Sequence, residues 1–575
     1  MKQYFPILSW IPTYKKAFLY GDVMAGITVG ILLIPQGMAY AMIAGLPPVF
    51  GLYAALMPQV VYAVMGTSRQ LSVGPVAMDS LLVAASLGAL SITGLDNYIA
   101  MAIFLSLFMG LFQLLLGILR LGFLVNFLSK PVISGFTSAA AIVIGLSQLK
   151  HFLGISIQGN SKLHFLIEQV FTHITETHLV TLLISFLGIV TIVLLKKYVP
   201  KIPSALVVVL LGTLVVYLFN LQDLGVKIVG DIPKGLPSLK VPDFNNIPLS
   251  KLTPLALTLA LVAYMEAISV SKSLEENEDN YKVDANQELV ALGTSNIVGS
   301  FFQSYPTTGG FSRTAVNNQA GAHTGISSIV STIVIGLTLL FLTPLFYYLP
   351  SAVLASMIMV AVYNLIDFKL PVQLWNQNRD EFFLLITTFI ITLFIGITQG
   401  ILVGIMASLV LMIYRTSQPH IAVLARIEGS NYFKNVERFH EQVKHRDDLL
   451  IIRFDAQLFF GNKDFFKKTL EGLVTQKKET LKAVILNAES ISYIDSSANA
   501  MLIKYIQSLK EQQIKFFITG AIGPTRDVLF NNGMIKELGK ENLFVRTYEA
   551  VDCFDGIICK DDLQNKICQQ TVRRV

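Results

Sequence analysis

The sequence predicts a multi-pass α-helical membrane protein of fourteen transmembrane segments, followed by a small α/β domain. Three observations carry this. The 575 residues are 53% hydrophobic and only 14% charged, against about 25% charged in a soluble domain. Stretches of about 20 mostly apolar residues, enough to cross the hydrocarbon core, recur along the first 419 positions. The charges concentrate behind them: 23 of the 44 Lys/Arg and 20 of the 38 Asp/Glu fall in residues 420–575. The expected domains are a membrane domain over 1–419, a cytoplasmic domain over 420–560 and a tail over 561–575.

Apolar stretches run at 20–42, 49–66, 98–119, 131–149, 179–196, 202–220, 254–272, 324–343, 350–367, 380–396 and 398–415. Three more, near 72–90, 288–302 and 308–322, are shorter or interrupted by Gly, Pro and polar residues. Fourteen crossings put both termini on one side. With that side cytoplasmic, Lys15, Lys16, Arg69, Arg120, Lys196, Lys197, Lys272 and Arg415 lie inside, and the short outer turns near 43–48, 343–349 and 396–399 hold no Lys or Arg. This agrees with the positive-inside rule, and the expected location is the cell's inner (plasma) membrane. Lys15 and Lys16 precede an apolar segment too long for a signal-peptide core, so no cleavable leader is expected.

The net charge of +6 is small for this length and points to neither a nucleic-acid surface nor a polybasic anchor. The three cysteines, Cys553, Cys559 and Cys568, have no zinc-type spacing and no accompanying His pair. No catalytic triad, P-loop or metal cluster is evident. The expectation is a non-enzyme without metal or cofactor.

Two interrupted segments point to a site. Gln70 to Ser80 reads Q-L-S-V-G-P-V-A-M-D-S, and Tyr305 to Asn318 reads Y-P-T-T-G-G-F-S-R-T-A-V-N-N. In each, Gly and Pro precede what reads as a helix. Irregular backbone at membrane depth survives only where it lines a cavity or is buried in protein. One break falls in the third crossing and the other in the tenth. These are corresponding positions in two halves of seven, and an odd number of spans inverts one half against the other. Paired broken helices of this kind mark transporter binding sites. Two half-helix N-termini facing each other present free N–H groups and about half a positive charge each, which suits an anion. The candidate anion-binding residues are Val73 and Gly74 at the first break, and Gly310, Phe311, Ser312 and Arg313 at the second. Gln36 and Tyr40 share a helix face four residues apart in I-P-Q-G-M-A-Y-A. Either they touch the anion or they satisfy backbone groups freed by Pro35.

Ionisable groups at membrane depth are costly and are functional by default. Glu266, within A-Y-M-E-A-I-S, is the candidate carrier of a proton or ligand of a cation. Burial favours its neutral acid and a nearby Arg its carboxylate. Asp79, one turn into the first half-helix, is a second candidate for ion coupling, or merely complements the helix dipole.

From Asp448 the pattern turns to apolar strand runs, L-L-I-I-R-F, A-V-I-L-N-A and I-K-F-F-I-T-G, with helical stretches over 462–477 and 496–512. This predicts a mixed sheet. Asp495 is placed to cap the second helix, with Ser496 and Ser497 in its first turn.

These residues resemble the SulP family of sulfate and anion transporters. P-P-V-F-G-L-Y-A-A-L-M-P followed by G-T-S-R-Q-L-S-V-G-P-V-A resembles the family's signature, with Phe50 where Tyr is commoner. I-P-Q-G-M-A-Y-A, Y-M-E-A-I-S, F-S-R-T-A and R-F-D-A-Q-L-F-F-G-N match as well. The C-terminal part resembles the STAS domain, similar to bacterial anti-sigma-factor antagonists. The resemblance implies a 7+7 inverted repeat like that of nucleobase transporters, core and gate domains, a homodimer and an elevator-like cycle. It also implies secondary transport of small inorganic anions. The first candidate is sulfate taken up with protons. The alternatives are bicarbonate or a dicarboxylate, with Na⁺ as coupling ion, and a sensor or motor signalling through the STAS domain. Sodium-dependent bicarbonate members have Asp with a hydroxyl four residues on, where this chain has Glu266 and Val270. Ser497 aligns with the antagonists' phosphorylated serine, and Ala498 stands in place of their Gly. Asp79 departs from the usual apolar residue.

Overall fold

A backbone that crosses lipid must satisfy its own hydrogen bonds, which restricts an open chain to helices. The structure, a computed structural model describing residues 4–88, 90, 92, 94–123, 129–155, 163–199, 203–242, 249–275, 281–477 and 479–557, follows that rule over its first part. Cys559, Cys568 and the tail over 561–575 lie outside the described residues. The chain divides into two compact units, residues 1–408 and 409–575.

Each of the fourteen stretches holds helix. In order these are α1 Lys16–Ile43, α2 Met57–Met65, α3 Ala77–Gly88, α4 Leu95–Ile118, α5 Lys130–Leu153, α6 Leu179–Tyr198, α7 Ser204–Leu218, α8 Leu249–Glu275, α9 Ala285–Phe301, α10 Phe311–Gln319, α11 Ile326–Leu337, α12 Ser351–Tyr363, α13 Arg379–Phe394 and α14 Ile397–Ser417. Seven helices among the described residues are long and apolar enough to cross a membrane on their own, α1, α4, α5, α6 and α8 among them. The breaks appear where Gly and Pro predict them. Strand β1 (Val73–Gly74) precedes α3, and strand β2 (Thr308–Gly309) precedes α10.

The closest packing sorts these helices into two groups. In one, α9 lies on α4 and α2, α8 on α4, and α11 on α1. In the other, α13 and α12 lie on α5, and α6 on α12 and α7. Strands β1 and β2 pair antiparallel, Val73 opposite Gly309 and Gly74 opposite Thr308, inside the first group.

The second unit contains β3 Ile421–Ile427, β4 Phe433–Asn435, β5 Val443–Lys444, β6 Leu449–Phe454, β7 Ala483–Asn487, β8 Lys515–Thr519 and β9 Leu543–Phe544. The sheet runs β4-β3-β6-β7-β8-β9, with β5 beside β3. Pairing is parallel from β6 to β9 and antiparallel between β3 and β6, so the sheet is mixed as expected. The continuous apolar runs of β6 and β7 fit strands covered on both faces. Lys463–Gln476 and Ser496–Glu511 are the predicted helices. Asp495 caps the latter, accepting from the Ala498 N–H at 2.7 Å.

Candidate functional site

Proline at 75 lacks an N–H and glycine at 74 has no side chain, so the chain can run extended through β1 and then begin a helix. The same logic at Pro306 and Gly309–Gly310 produces β2 and α10. Antiparallel pairing of the two strands brings the starts of α3 and α10 together. The pairing is reinforced by side chains and by one further amide. The Gly310 N–H donates to the Ser72 carbonyl at 3.0 Å, and the Ser72 N–H to Thr314 Oγ1 at 3.0 Å. Asn317 Nδ2 donates to the Gln70 carbonyl at 2.8 Å. Thr308 Oγ1 donates to the Ala263 carbonyl at 2.6 Å, tying β2 to α8 beside Glu266.

Arg313 is the centre of this arrangement. It is 2% exposed, and its Nη1 donates to the Pro75 carbonyl at 2.8 Å, joining the two breaks. Its Nε and Nη2 have no hydrogen-bond partner in the protein. A buried cation with two unused donors is expensive unless something negative meets it. The guanidinium folds back over Gly310, where a Cβ would lie 2.7 Å from both Cζ and Nη2. Gly310 therefore gives Arg313 its place.

One carboxylate, Glu266, and two phenols, Tyr40 and Tyr305, act on its charge. The charges of Arg313 and Glu266 interact, as do those of Glu266 and Asp79, and Tyr40 lies within the same field. Asp79 is 0% exposed, and neither of its oxygens has a partner. One oxygen of Glu266, Oε2, and Gln36 Oε1 are also buried without partners.

The structure thus gathers most of the residues singled out from the sequence. Val73, Gly74, Arg313, Asp79, Glu266 and Tyr40 all bear on one region, and Gln36 lies on α1 four residues before Tyr40. Gly310 belongs to it, but its amide is committed to Ser72. Phe311 is 64% exposed and Ser312 is exposed, so their share is limited to the free N–H groups of the first helical turn. Ser497 belongs to the second unit, exposed in the first turn of its helix. Among the described residues no three His, Cys, Asp or Glu side chains come together as a metal site.

Sequence reasoning missed four supporting groups. Tyr305 is fully buried and its hydroxyl is 3.1 Å from Ser80 Oγ, next to Asp79. Asn296 Oδ1 accepts from the Thr307 N–H at 2.9 Å and so holds the chain entering β2. Glu288, 0% exposed, accepts from Tyr62 Oη at 2.6 Å, the Thr67 N–H at 2.7 Å, Thr67 Oγ1 at 2.6 Å and the Ser68 N–H at 3.2 Å. Asp22 does the same for the entry to α11, accepting from the His323 and Thr324 N–H groups at 2.7 and 2.9 Å. The signal available for the two acids was their charge near the end of an apolar helix.

Residues 19–388 match the sulfate permease family, and residues 440–552 match the STAS domain. This chain belongs to the sulfate permease family. Among its relatives in Arabidopsis thaliana, sulfate transporter 4.1, chloroplastic, is 39% identical over 98% of this chain and 84% of its own length. Probable sulfate transporter 4.2 is 40% identical over 95% of this chain and 83% of its own. Among solved structures, SLC26A9 superposes with a TM-score of 0.88 at 24% identity, covering 98% of this chain and 94% of that one. The transmembrane domain of the cyanobacterial bicarbonate transporter BicA gives 0.59 at 24% identity, covering 69% of this chain and 98% of that one. At these identities the structures establish fold alone. The family member described here is a multi-pass membrane transporter with a STAS domain, not an enzyme.

Proposed function

We propose that this protein takes up sulfate together with protons. The observation that carries the reading is the buried Arg313, with Nε and Nη2 unpartnered, at the junction of two half-helix N-termini. Sulfate offers a compact divalent anion to one guanidinium and two sets of free amides. The sulfate transporters related to this chain along nearly its whole length support the same substrate. Glu266 is the proton carrier. Its interaction with Arg313 means that a sulfate drawing on Arg313 removes the counter-charge of the carboxylate, which then takes a proton.

The two packing groups of helices, each drawing on both halves of the chain, support a fourteen-span, 7+7 inverted repeat, one group carrying the site and the other acting as a gate. The positions of Lys and Arg support cytoplasmic N- and C-termini in the cell's inner (plasma) membrane. A membrane domain over 1–419, a STAS domain over 420–560 and a homodimer complete the proposal. The exposed Ser497 is its phosphorylation site.

Purified protein in liposomes tests the function. Radiolabelled sulfate uptake should rise when the exterior is acidified and be unaffected by an imposed Na⁺ gradient. Uptake that follows Na⁺ and ignores pH, or bicarbonate outcompeting sulfate, would contradict it.

A further inference from the structure

Glu266 suffices for one proton, yet the site holds a second acid with nothing to satisfy it. Asp79 is 0% exposed, on the third residue of α3, and both of its oxygens lack a hydrogen-bond donor. A structural carboxylate in this protein looks different. Glu288 and Asp22 are equally buried, and each accepts four hydrogen bonds. A buried carboxylate without donors is stabilised only by a nearby cation or by a proton. Among the described residues, the titratable groups acting on Asp79 are Glu266 on α8 and Tyr305 ahead of β2. Those acting on Glu266 and its surroundings are Asp79, Tyr40 on α1 and Arg313 on α10. Arg313 is the only cation in this set.

We infer that Asp79 is a second proton-binding residue, so that two protons accompany each divalent anion. The inference rests on the proton-coupled sulfate reading above. With both acids ionised, the empty site holds the charges of Arg313, Glu266 and Asp79, one net negative charge, with Arg313 acting on Glu266 and Glu266 on Asp79. When sulfate takes the guanidinium, three negative groups would crowd one cation. Protonation of both acids leaves the cation and the dianion, again one net negative charge. The site then carries the same charge loaded and empty, and transport moves no net charge across the membrane. With Glu266 alone protonating, each sulfate would carry one negative charge inward, and the interior-negative potential would oppose uptake.

The test is the sulfate gradient at which net flux stops, in liposomes bearing the full-length protein, with pH gradient and voltage set independently by buffers and by potassium with valinomycin. Each coupled proton supports about a tenfold sulfate gradient per pH unit. The wild type should hold about a hundredfold gradient per pH unit, unchanged by voltage. Asp79→Asn should hold about tenfold, and that gradient should shift with voltage. A wild-type gradient of about tenfold, or one that moves with voltage, overturns the two-proton inference while leaving proton-coupled sulfate uptake intact. So does an Asp79→Asn protein that still holds about a hundredfold. If Asp79→Asn does not fold, the wild-type measurement decides alone. A pH gradient that supports no sulfate gradient would instead overturn the underlying reading.

Discussion

At the scale of single residues, the proposed site is an exchange of partners around Arg313. Removing it leaves the two half-helix N-termini but takes away the one full positive charge. Arg313→Ala should weaken sulfate binding by more than about tenfold, or roughly 1.4 kcal/mol, measured as equilibrium binding of labelled sulfate to purified protein; unchanged affinity would contradict the assignment. Glu266→Gln imitates the protonated acid permanently. At ~6 Å and an effective dielectric of ~20, the repulsion it removes between carboxylate and anion is about 3 kcal/mol. Binding and protonation assist each other reciprocally. The variant should therefore keep sulfate exchange and lose accumulation driven by one part of the pH gradient, read as a smaller sulfate gradient at zero net flux. Arg313, Glu266 and Asp79 were legible in the sequence because an ionisable group inside an apolar run stands out by itself. Tyr305 was not, because an aromatic residue in a membrane span has no such contrast, and Ser80 is 225 positions away.

At the scale of elements, both broken segments could be read from Gly and Pro, but their pairing could not. Val73 and Gly309 are opposite each other through a two-residue strand, too short for any alternation pattern. What holds these strands in place is equally remote. Glu288 reaches back from α9 to Tyr62, Thr67 and Ser68, the chain that leads into β1. Glu288→Ala strands four buried or half-buried donors. With about 1–3 kcal/mol for a buried group left unpaired, this should lower stability by at least roughly 3 kcal/mol, seen as a lower thermal midpoint in detergent. Glu288→Gln, which keeps an acceptor, should lie between. Equal midpoints for all three proteins would show that the clamp is not structural. The crossing of α1 with the helix Val49–Tyr53 is set by close approach: a Cβ at Gly51 would lie 1.9 Å from the Gly37 carbonyl oxygen. Gly51→Ala should accordingly separate the segment bearing Gln36 and Tyr40 from its neighbour and reduce the yield of folded protein.

At the scale of the whole molecule, the division into a lipid-soluble body and a water-soluble tail was legible from charge density alone. The early strands of the tail were harder. β3 lies close behind the last apolar segment and β4 and β5 are very short, so the strand pattern becomes clear only from β6 onward. Because every group assigned to the site lies before residue 320, a chain lacking residues 420–575 should still bind sulfate with affinity within about threefold of the full chain. Loss of binding in a folded truncation would contradict this. The STAS domain has its own pH response. A hydrogen bond from Arg446 holds the Asp448 carboxyl below its usual range. For Asp455, burial pushes upward, but hydrogen bonds from Arg453 and His420 leave it lowered overall. Depressed carboxyls stabilise the fold above their unfolded value, and that contribution disappears as pH falls through the folded one, so below about pH 4. Arg446→Ala should therefore lower the STAS thermal midpoint at pH 6, with the difference from wild type narrowing toward pH 3. The proposed function places the anion between the two half-helices. A structure determined with selenate in place of sulfate, using the anomalous signal of selenium, tests it most directly. The peak should lie within hydrogen-bonding distance of Arg313 and beside the first turns of α3 and α10; a single peak anywhere else, with this junction empty, would rule out anion binding between the half-helices.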